Sequence, residues 1–405
     1  MPVALWQCAP CAYILRSKGR PDGPFRSFRL TSARFALGAF VSLVLGSCAT
    51  PSVVVEHPPV PTPVIAGVVL EAPEETGAHL TSSAIPELPP APSAPRLPGE
   101  FEPVDHVLVG WAQDAWGYTQ TFSALVRETS YRSRITLVHS EIDDLKPLRA
   151  ELSRAGVNFD AITFVYAPLD SMWMRDYGPL VVRGSRGERE VVDFSYSRAN
   201  DDRVPRVYAD HSRLARRNVP VELEGGHIQA DGTGRCILSE DALFRNREVG
   251  IFEHDLADAL RENLGCEKLI VVPQLFGEET GHVDIFLYVV GPGHVLLGRY
   301  RPDDDRKNAR RLDGVSRTLR RAGFKVTRIP MPSNRRRSLF RSYTNALAVD
   351  DAVFVPVYRS ERRFERVALK AFSRVFPTRS VIPIVSDEVV DLGGALHCIA
   401  MTVAK

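Results

Sequence analysis

Lysine is scarce in this 405-residue chain: seven of its 51 basic residues are Lys and the rest are Arg. Charge of one sign is lacking too, since 49 acidic residues leave a formal net charge of +2. That balance excludes a nucleic-acid binder working through a broad basic surface. Clusters such as Arg335-Arg336-Arg337 therefore read as solvated faces paired with acids. Six cysteines are too few for a disulfide scaffold. Long apolar runs are missing as well; the run Phe35 to Leu45 is too short to span a bilayer as a helix. What is there is 44% hydrophobic and 25% charged, ordinary for a folded protein and foreign to disordered, collagen-like or multi-span chains.

The N-terminal hundred residues read as address and tether rather than fold. Arg20, Arg26, Arg29 and Arg34 precede the Phe35–Leu45 run, which suits the apolar region of an export signal. The run ends in Leu45-Gly46-Ser47-Cys48, which resembles the bacterial lipobox. Residues 1–47 are expected to be a signal peptide, with Cys48 the lipidated N-terminus. The basic leader is long enough to leave room for a start codon downstream of Met1. Cys8 and Cys11 form a C-x-x-C without a second pair at zinc spacing and would leave with the leader. Between 51 and 100 lie twelve of the 30 prolines and no Phe, Trp or Tyr. Such a stretch buries too little apolar surface to offset chain entropy, so residues 48–100 are expected to be a disordered linker. The expected location is the cell envelope, with a membrane partner reached through the lipid.

Residues 101–405 carry the fold. Strand-like runs include Val104–Val109, Ile162–Tyr166, Val191–Phe194, Val283–Val290 and Val353–Pro356. Helical spacing appears over Ala115–Glu128, Ile142–Ala155, His254–Leu264, Arg306–Ala322 and Arg363–Phe376. Five helices over about three hundred residues give a period near sixty. Clusters of two or three strands between helices indicate radially repeated mixed units rather than one doubly wound sheet.

Four segments carry chemistry. Trp173-Met174-Arg175-Asp176-Tyr177-Gly178-Pro179 holds an Asp beside an Arg; alone it reads as a turn with a surface ion pair. Glu224-Gly225-Gly226-His227 suits a strand end where backbone approaches a ligand, and a hairpin turn explains it equally well. Gly281-His282-Val283-Asp284, if on a strand, turns His282 and Asp284 to one side as an acid/base pair, although a structural hydrogen bond is the default. Asp391-Leu392-Gly393-Gly394-Ala395-Leu396-His397-Cys398 offers a thiol nucleophile behind a glycine pair; a lone Cys is otherwise a buried inert thiol. On a strand His397 would face away from Cys398, which leaves His282 as the working acid/base. Cys236 and Cys266 either pair in an oxidising compartment or pack as free thiols.

Together these segments resemble the bacterial peptidyl-arginine deiminase and agmatine deiminase family of guanidino-group-modifying enzymes. That family runs W-x-R-D-x-G-P, E-G-G, G-H-x-D, Y-x-N, V-P-x-Y and G-G-x-x-H-C. Here these are Trp173 to Pro179, Glu224 to Gly226, Gly281 to Asp284, Tyr343 to Asn345, Val355 to Tyr358 and Gly393 to Cys398. The resemblance implies an α/β fold, the pentein, a five-bladed pseudo-symmetric propeller. It implies Asp176 and Asp284 gripping a guanidinium, Cys398 attacking its carbon, His282 as acid/base and Glu224 orienting the site. Trp173, Arg175, Asn345, Gly393 and Gly394 would bind or support substrate. No metal or other cofactor is implied. The implied reaction is hydrolysis to a ureido group and ammonia through a Cys thiouronium. Peptidyl-arginine is the first substrate reading, from Tyr177 and the export signal. The alternatives are agmatine, giving N-carbamoylputrescine, and an inactive pentein that binds arginine-rich partners. His227, Ala395 and Ile399-Ala400-Met401 depart from the family pattern around the site.

Overall fold

A computed structural model describes residues 95–332 and 339–405. The expected signal peptide, Cys48, the tether up to residue 94 and Arg335-Arg336-Arg337 lie outside the described residues.

The repeat is a three-strand unit in which an antiparallel pair is followed by a helix and a parallel third strand. The first sheet holds β1 (Val104–Trp111), β2 (Arg134–His139) and β3 (Ile162–Tyr166), all parallel, with α1 (Thr119–Ser130) and α2 (Lys146–Arg154) as crossovers. A one-turn helix, α3 (Met174–Tyr177), leads to the second sheet: β4 (Leu180–Arg183), β5 (Arg189–Ser195), α4 (Val204–Ser212) and β6 (Ala215–Glu222). The third sheet is β7 (Ile228–Ala230), β8 (Arg235–Ser239), α5 (Glu240–Glu248), α6 (Glu253–Leu264) and β9 (Lys268–Val272). The fourth is β10 (Leu287–Gly291), β11 (His294–Arg299), α7 (Arg306–Arg321) and β12 (Lys325–Pro330). The fifth is β13 (Leu347–Val349), β14 (Ala352–Val357), α8 (Arg362–Val375) and β15 (Ser380–Val385). After α9 (Asp387–Val390), the last strand β16 (Ala400–Ala404) returns to pair antiparallel with β1, supplying the strand the first unit lacks.

Local sequence explains the elements. The middle strand β14 reads Ala-Val-Phe-Val-Pro-Val and is buried at every position, as a strand covered on both faces must be. In α7 the buried residues Ala309, Leu312, Val315 and Leu319 fall on one stripe, and Arg306, Arg310, Arg317 and Arg321 are exposed. Asp305 caps α7 by accepting from the Asn308 N–H at 3.0 Å. Each core Leu or Phe so buried stabilises the fold by roughly 1.5–3 kcal/mol. Trp173 packs against three of the apolar clusters between sheets. Cys236 and Cys266 are disulfide-bonded, with Cα atoms 5.5 Å apart, which resolves the pairing left open above.

Two expectations change. The folded part begins before residue 101: Arg96 bridges Arg183 with backbone hydrogen bonds of 2.9 Å in both directions, and Leu97 N–H donates to Leu264 O. Residues 283–286 form a turn, not the start of a strand. Gly281 at φ +72 redirects the chain, and the Phe286 and Leu287 N–H groups both donate to Val283 O. Among the described residues no helix is long and apolar enough to cross a membrane.

Candidate active site

Every connection between successive sheets contributes one part of the site. Trp173, Arg175 and Asp176 lie between β3 and β4, and Glu224 between β6 and β7. His282 and Asp284 lie between β9 and β10, Asn345 between β12 and β13, and Cys398 between β15 and β16. Five links that are remote in sequence therefore converge, which is why no one of them announces the site alone.

His282 is buried. Its Nε2 donates to Glu224 Oε2 at 2.6 Å, and its Nδ1 lies 3.8 Å from Asp176 Oδ1. Burial disfavours the imidazolium, but the Glu224 hydrogen bond and the charges of Asp176, Glu224 and Asp284 prevail and lift it to about 10. Glu224 is held at about 2 against burial by His282, His227 and Arg245. Its Oε1 accepts from Arg245 Nη1 at 2.6 Å, and Arg245 Nε also donates to Asp241 Oδ2 at 2.7 Å. His227 accepts the Glu224 N–H on Nδ1 at 3.3 Å, so its proton sits on Nε2, facing Asp241 Oδ2 at 3.3 Å. Its ring stands edge-on to His282, centroids 4.6 Å apart. A Cβ on Gly226 would lie 2.3 Å from His282 Nδ1, so glycine is required for this approach.

Cys398 is held by Asn345. The Asn345 Nδ2 donates to Sγ at 3.1 Å, while its Oδ1 accepts from the N–H groups of Ala395 and His397 at 3.0 and 3.1 Å. Gly394 brings the chain under the nucleophile: a Cβ there would lie 2.9 Å from Sγ and 2.5 Å from the Trp173 ring. Asp284 Oδ2 is 3.9 Å from Sγ. Burial, then the charges of Asp284 and Asp176, raise the thiol well above its ordinary value, so the free site holds it protonated.

Asp284 Oδ1, Asp176 Oδ1 and His282 Nδ1 are buried and have no hydrogen-bond partner among the described residues. Two open carboxylate oxygens beside a thiol demand a ligand rich in N–H donors and positively charged. Burial and the charges of Glu224 and Asp284 outweigh His282 and push the Asp176 carboxyl up to about 7.

Arg175 does not take the substrate role expected of it. It is 2% exposed, its Nη1 pairs with Glu100 at 2.5 Å, and its Nε donates to the carbonyls of Ala400 and His397 at 3.1 and 3.3 Å. A guanidinium in the cradle would repel the substrate; placed behind it, Arg175 fixes the turn that bears Cys398. Gly394 likewise serves backbone approach, whereas Gly393 has room and supplies a turn at φ +99. His282 and Asp284 point to different partners, because they sit on a turn: Asp284 Oδ2 pairs with His397 Nδ1 at 2.6 Å, away from Glu224. Sequence reading missed Glu100, Asp241 and Arg245. Glu100 lies in a Pro-Gly stretch like that of a linker, and the other two lie on α5, which has weak periodicity.

Glu224, His227 and His282 bring ligand atoms within 4.8 Å of one another, a spacing a cation could use. Those atoms already pair with each other, Asp241 and Arg245, whose guanidinium puts positive charge against Glu224; this donor set suits proton handling better than metal binding.

Five repeated α/β units, a thiol, a charged imidazole and two open carboxylates define a guanidino-group-modifying enzyme. The model of the Porphyromonas-type peptidyl-arginine deiminase family matches residues 96–403. The chain belongs to this family, within the pentein superfamily, and is a deiminase acting on guanidino C–N bonds. The agmatine deiminase of Pseudomonas aeruginosa (strain LESB58) is 29% identical over 353 residues, covering 75% of this chain and 94% of that one. That of Ectopseudomonas mendocina is 28% identical over 354 residues, again 75% and 94%. Among solved structures, an agmatine deiminase of Enterococcus faecalis superposes with TM-score 0.67 at 22% identity, covering 77% and 96%. The agmatine deiminase of C. jejuni gives TM-score 0.67 at 18% identity with the same coverage. These likenesses carry the fold.

Proposed function

We propose that the five units close radially into a propeller and that its site hydrolyses a guanidinium to a ureido group and ammonia, with agmatine the favoured substrate. The observation that carries the chemistry is the pair of carboxylate oxygens on Asp176 and Asp284 that accept no hydrogen bond from the described residues, with Asp284 3.9 Å from Cys398 Sγ. Burial first and then these two charges keep the thiol neutral; a bound guanidinium offsets the charges and sets a cation beside Sγ, so the Sγ proton leaves to solvent as the cation seats. The thiolate adds to the guanidinium carbon. His282, charged beforehand, protonates the departing nitrogen, and ammonia leaves a thiouronium on Cys398. The now neutral His282 takes a proton from water, and hydroxide adds to the same carbon. The C–S bond then breaks with its electron pair going to Sγ, and the hydroxyl proton passes to that thiolate, giving the urea and the free thiol. Glu224 holds His282 throughout.

Agmatine is favoured over the peptidyl-arginine expected from sequence because the curated relatives spanned almost end to end are named agmatine deiminases. The family model's description supports peptidyl-arginine as the second reading. Export and lipid anchoring at Cys48 are proposed on the lipobox-like Leu45-Gly46-Ser47-Cys48, and the Cys236–Cys266 disulfide fits an oxidising compartment. Incubating the full chain with agmatine, an arginyl peptide and free arginine tests substrate. Ammonia release with agmatine foremost is expected, and release with the peptide foremost reverses the ranking. Cys398→Ser should abolish turnover yet retain agmatine binding by calorimetry. Binding without turnover by the parent as well would leave only a guanidinium-binding module.

A further inference from the structure

We propose that Glu100 is a positioning residue for the reaction: through His397 it fixes Asp284, so that the segment 95–102, which follows the proline-rich tether, is part of the catalytic apparatus. The inference rests on the reading of Asp284 as a guanidinium-gripping carboxylate.

The chain of contacts is continuous. Glu100 Oε1 accepts from Arg175 Nη1 at 2.5 Å, and its Oε2 lies 2.7 Å from His397 Nε2. The other ring nitrogen, Nδ1, lies 2.6 Å from Asp284 Oδ2. An ionised carboxylate accepts and cannot donate, so a ring flanked by two of them must donate from both nitrogens. His397 is therefore an imidazolium, fully buried, and Asp284 and Glu100 are its two counter-ions. The other groups facing it are Arg175, whose charge opposes it, and the Tyr288 ring, edge-on at 6.0 Å. Holding Asp284 Oδ2 on a charged donor directs its free Oδ1 and fixes a carboxylate 3.9 Å from Sγ. With Arg175, Glu100 also steadies the carbonyls of His397 and Ala400 on either side of Cys398.

The segment is built to hold Glu100 in place. Arg96 pairs with Glu102 through two hydrogen bonds, at 2.6 and 2.8 Å. The Gly99 N–H donates to Glu102 Oε1 at 2.9 Å, and the Arg96 backbone is zipped to Arg183 at the end of β4. Glu102 reaches neither His397 nor Asp284; its partners are Arg96 and the Gly99 N–H, so Glu102→Gln loosens the segment without touching the relay and controls for loosening alone.

The test compares Glu100→Gln and Glu102→Gln in the full chain. E100Q keeps size and removes one of the two counter-ions, so His397 is left with Asp284 alone to hold its charge. The expected result is a fall in kcat/KM of about tenfold or more, in line with catalytic groups displaced by a fraction of an ångström. A new titration between about pH 6 and 8 should appear in the E100Q rate profile, where a released imidazole ionises, and be absent from E102Q. NMR of the His397 ring in the Cys398→Ser background should show its protonation midpoint moving down in E100Q alone. If E100Q does not fold, Glu100→Gln/Arg175→Gln removes the carboxylate together with its buried counter-charge; because Arg175 also holds the Cys398 turn, that variant is read by the His397 midpoint alone. An unmoved His397 midpoint, or equal losses in E100Q and E102Q with the same profile, overturns the proposal. If the parent turns over no guanidine, the deiminase reading falls and the His397 midpoint alone decides this one.

Discussion

Burial and the charges of Glu224 and Asp284 leave Asp176 a proton acceptor near neutrality, and this gives one residue two opposed pH signatures. In the unfolded chain an Asp ionises near 3.9, whereas folded Asp176 keeps its proton up to about 7. Between those values the folded state holds a proton the unfolded state has lost, so this group's contribution to stability falls as pH rises through the window. Function runs the other way, since only the ionised carboxylate grips a cation and kcat/KM should drop as pH falls below about 7. Asp176→Asn should therefore melt higher than the parent at pH 8 and equally at pH 4, while its KM for a guanidine rises about tenfold or more. Calorimetry across pH checks the first part, and parallel melting curves at all pH values would refute it. The identities of Asp176, His282 and Cys398 were legible in sequence because motif spacing preserves chemistry. Arg175 was misassigned because a motif cannot say on which side of the backbone a guanidinium lies.

At the scale of elements, the site is made of turns, and their glycines act by two different physical routes. Gly394 has ordinary backbone but no room: a Cβ would meet the Trp173 ring at 2.5 Å and the Cys398 Cβ at 2.8 Å. Gly393 has room, its nearest neighbour being Thr280 at 4.0 Å, but it adopts φ +99, which a side chain resists. Gly394→Ala should thus cut kcat about 100-fold by moving the nucleophile. Gly393→Ala should cost about 1 kcal/mol of stability and less activity. Steady-state kinetics with melting curves separates the two, and the opposite ranking would refute the contact argument. Turns are also where sequence reading failed. The apolar alternation around Val283 and Ile285 suggested a strand, but Gly281 and the Val283 carbonyl wind those residues into a turn. His282 and Asp284 then reach separate partners. Within the third unit, the Cys236–Cys266 disulfide ties β8 to the end of α6 across 30 residues. Closing such a loop stabilises by about 3–4 kcal/mol in the chain-entropy model. Reduction or a Cys236→Ser/Cys266→Ser pair should lower Tm by about 5 °C, and an unchanged Tm would show the link to be neutral.

At the scale of the molecule, a period of about sixty residues was legible because each unit repeats hairpin, helix and parallel strand. The helices counted toward it were partly the wrong ones: α1 and α2 both serve the first sheet, and α4 of the second went unread. α4 is only nine residues long and starts at Val204-Pro205, too short to show helical spacing over more than two turns. Strand β6 was missed too, since Arg216, Arg217 and Asn218 make its start polar. Least legible was β16, the short strand Ala-Met-Thr-Val-Ala, although the architecture depends on it. It completes the first sheet by pairing Val104 with Ala404 and Val109 with Ala400. It anchors the turn bearing Cys398, and its Ala400 carbonyl accepts from Arg175. Removing residues 400–405 would strip β1 of an edge partner, expose the buried Met401 and Val403 sites, and leave the nucleophile on a frayed end. The expected outcome is loss of both turnover and a cooperative melt, because the units share cores and do not fold as independent beads. Removing Lys405 alone, which donates from its N–H to Pro103 O, should change Tm by little. A 400–405 deletion that still melts cooperatively near the parent's Tm would mean that the first sheet stands without its closing strand, and that the site is held by the inter-sheet turns alone.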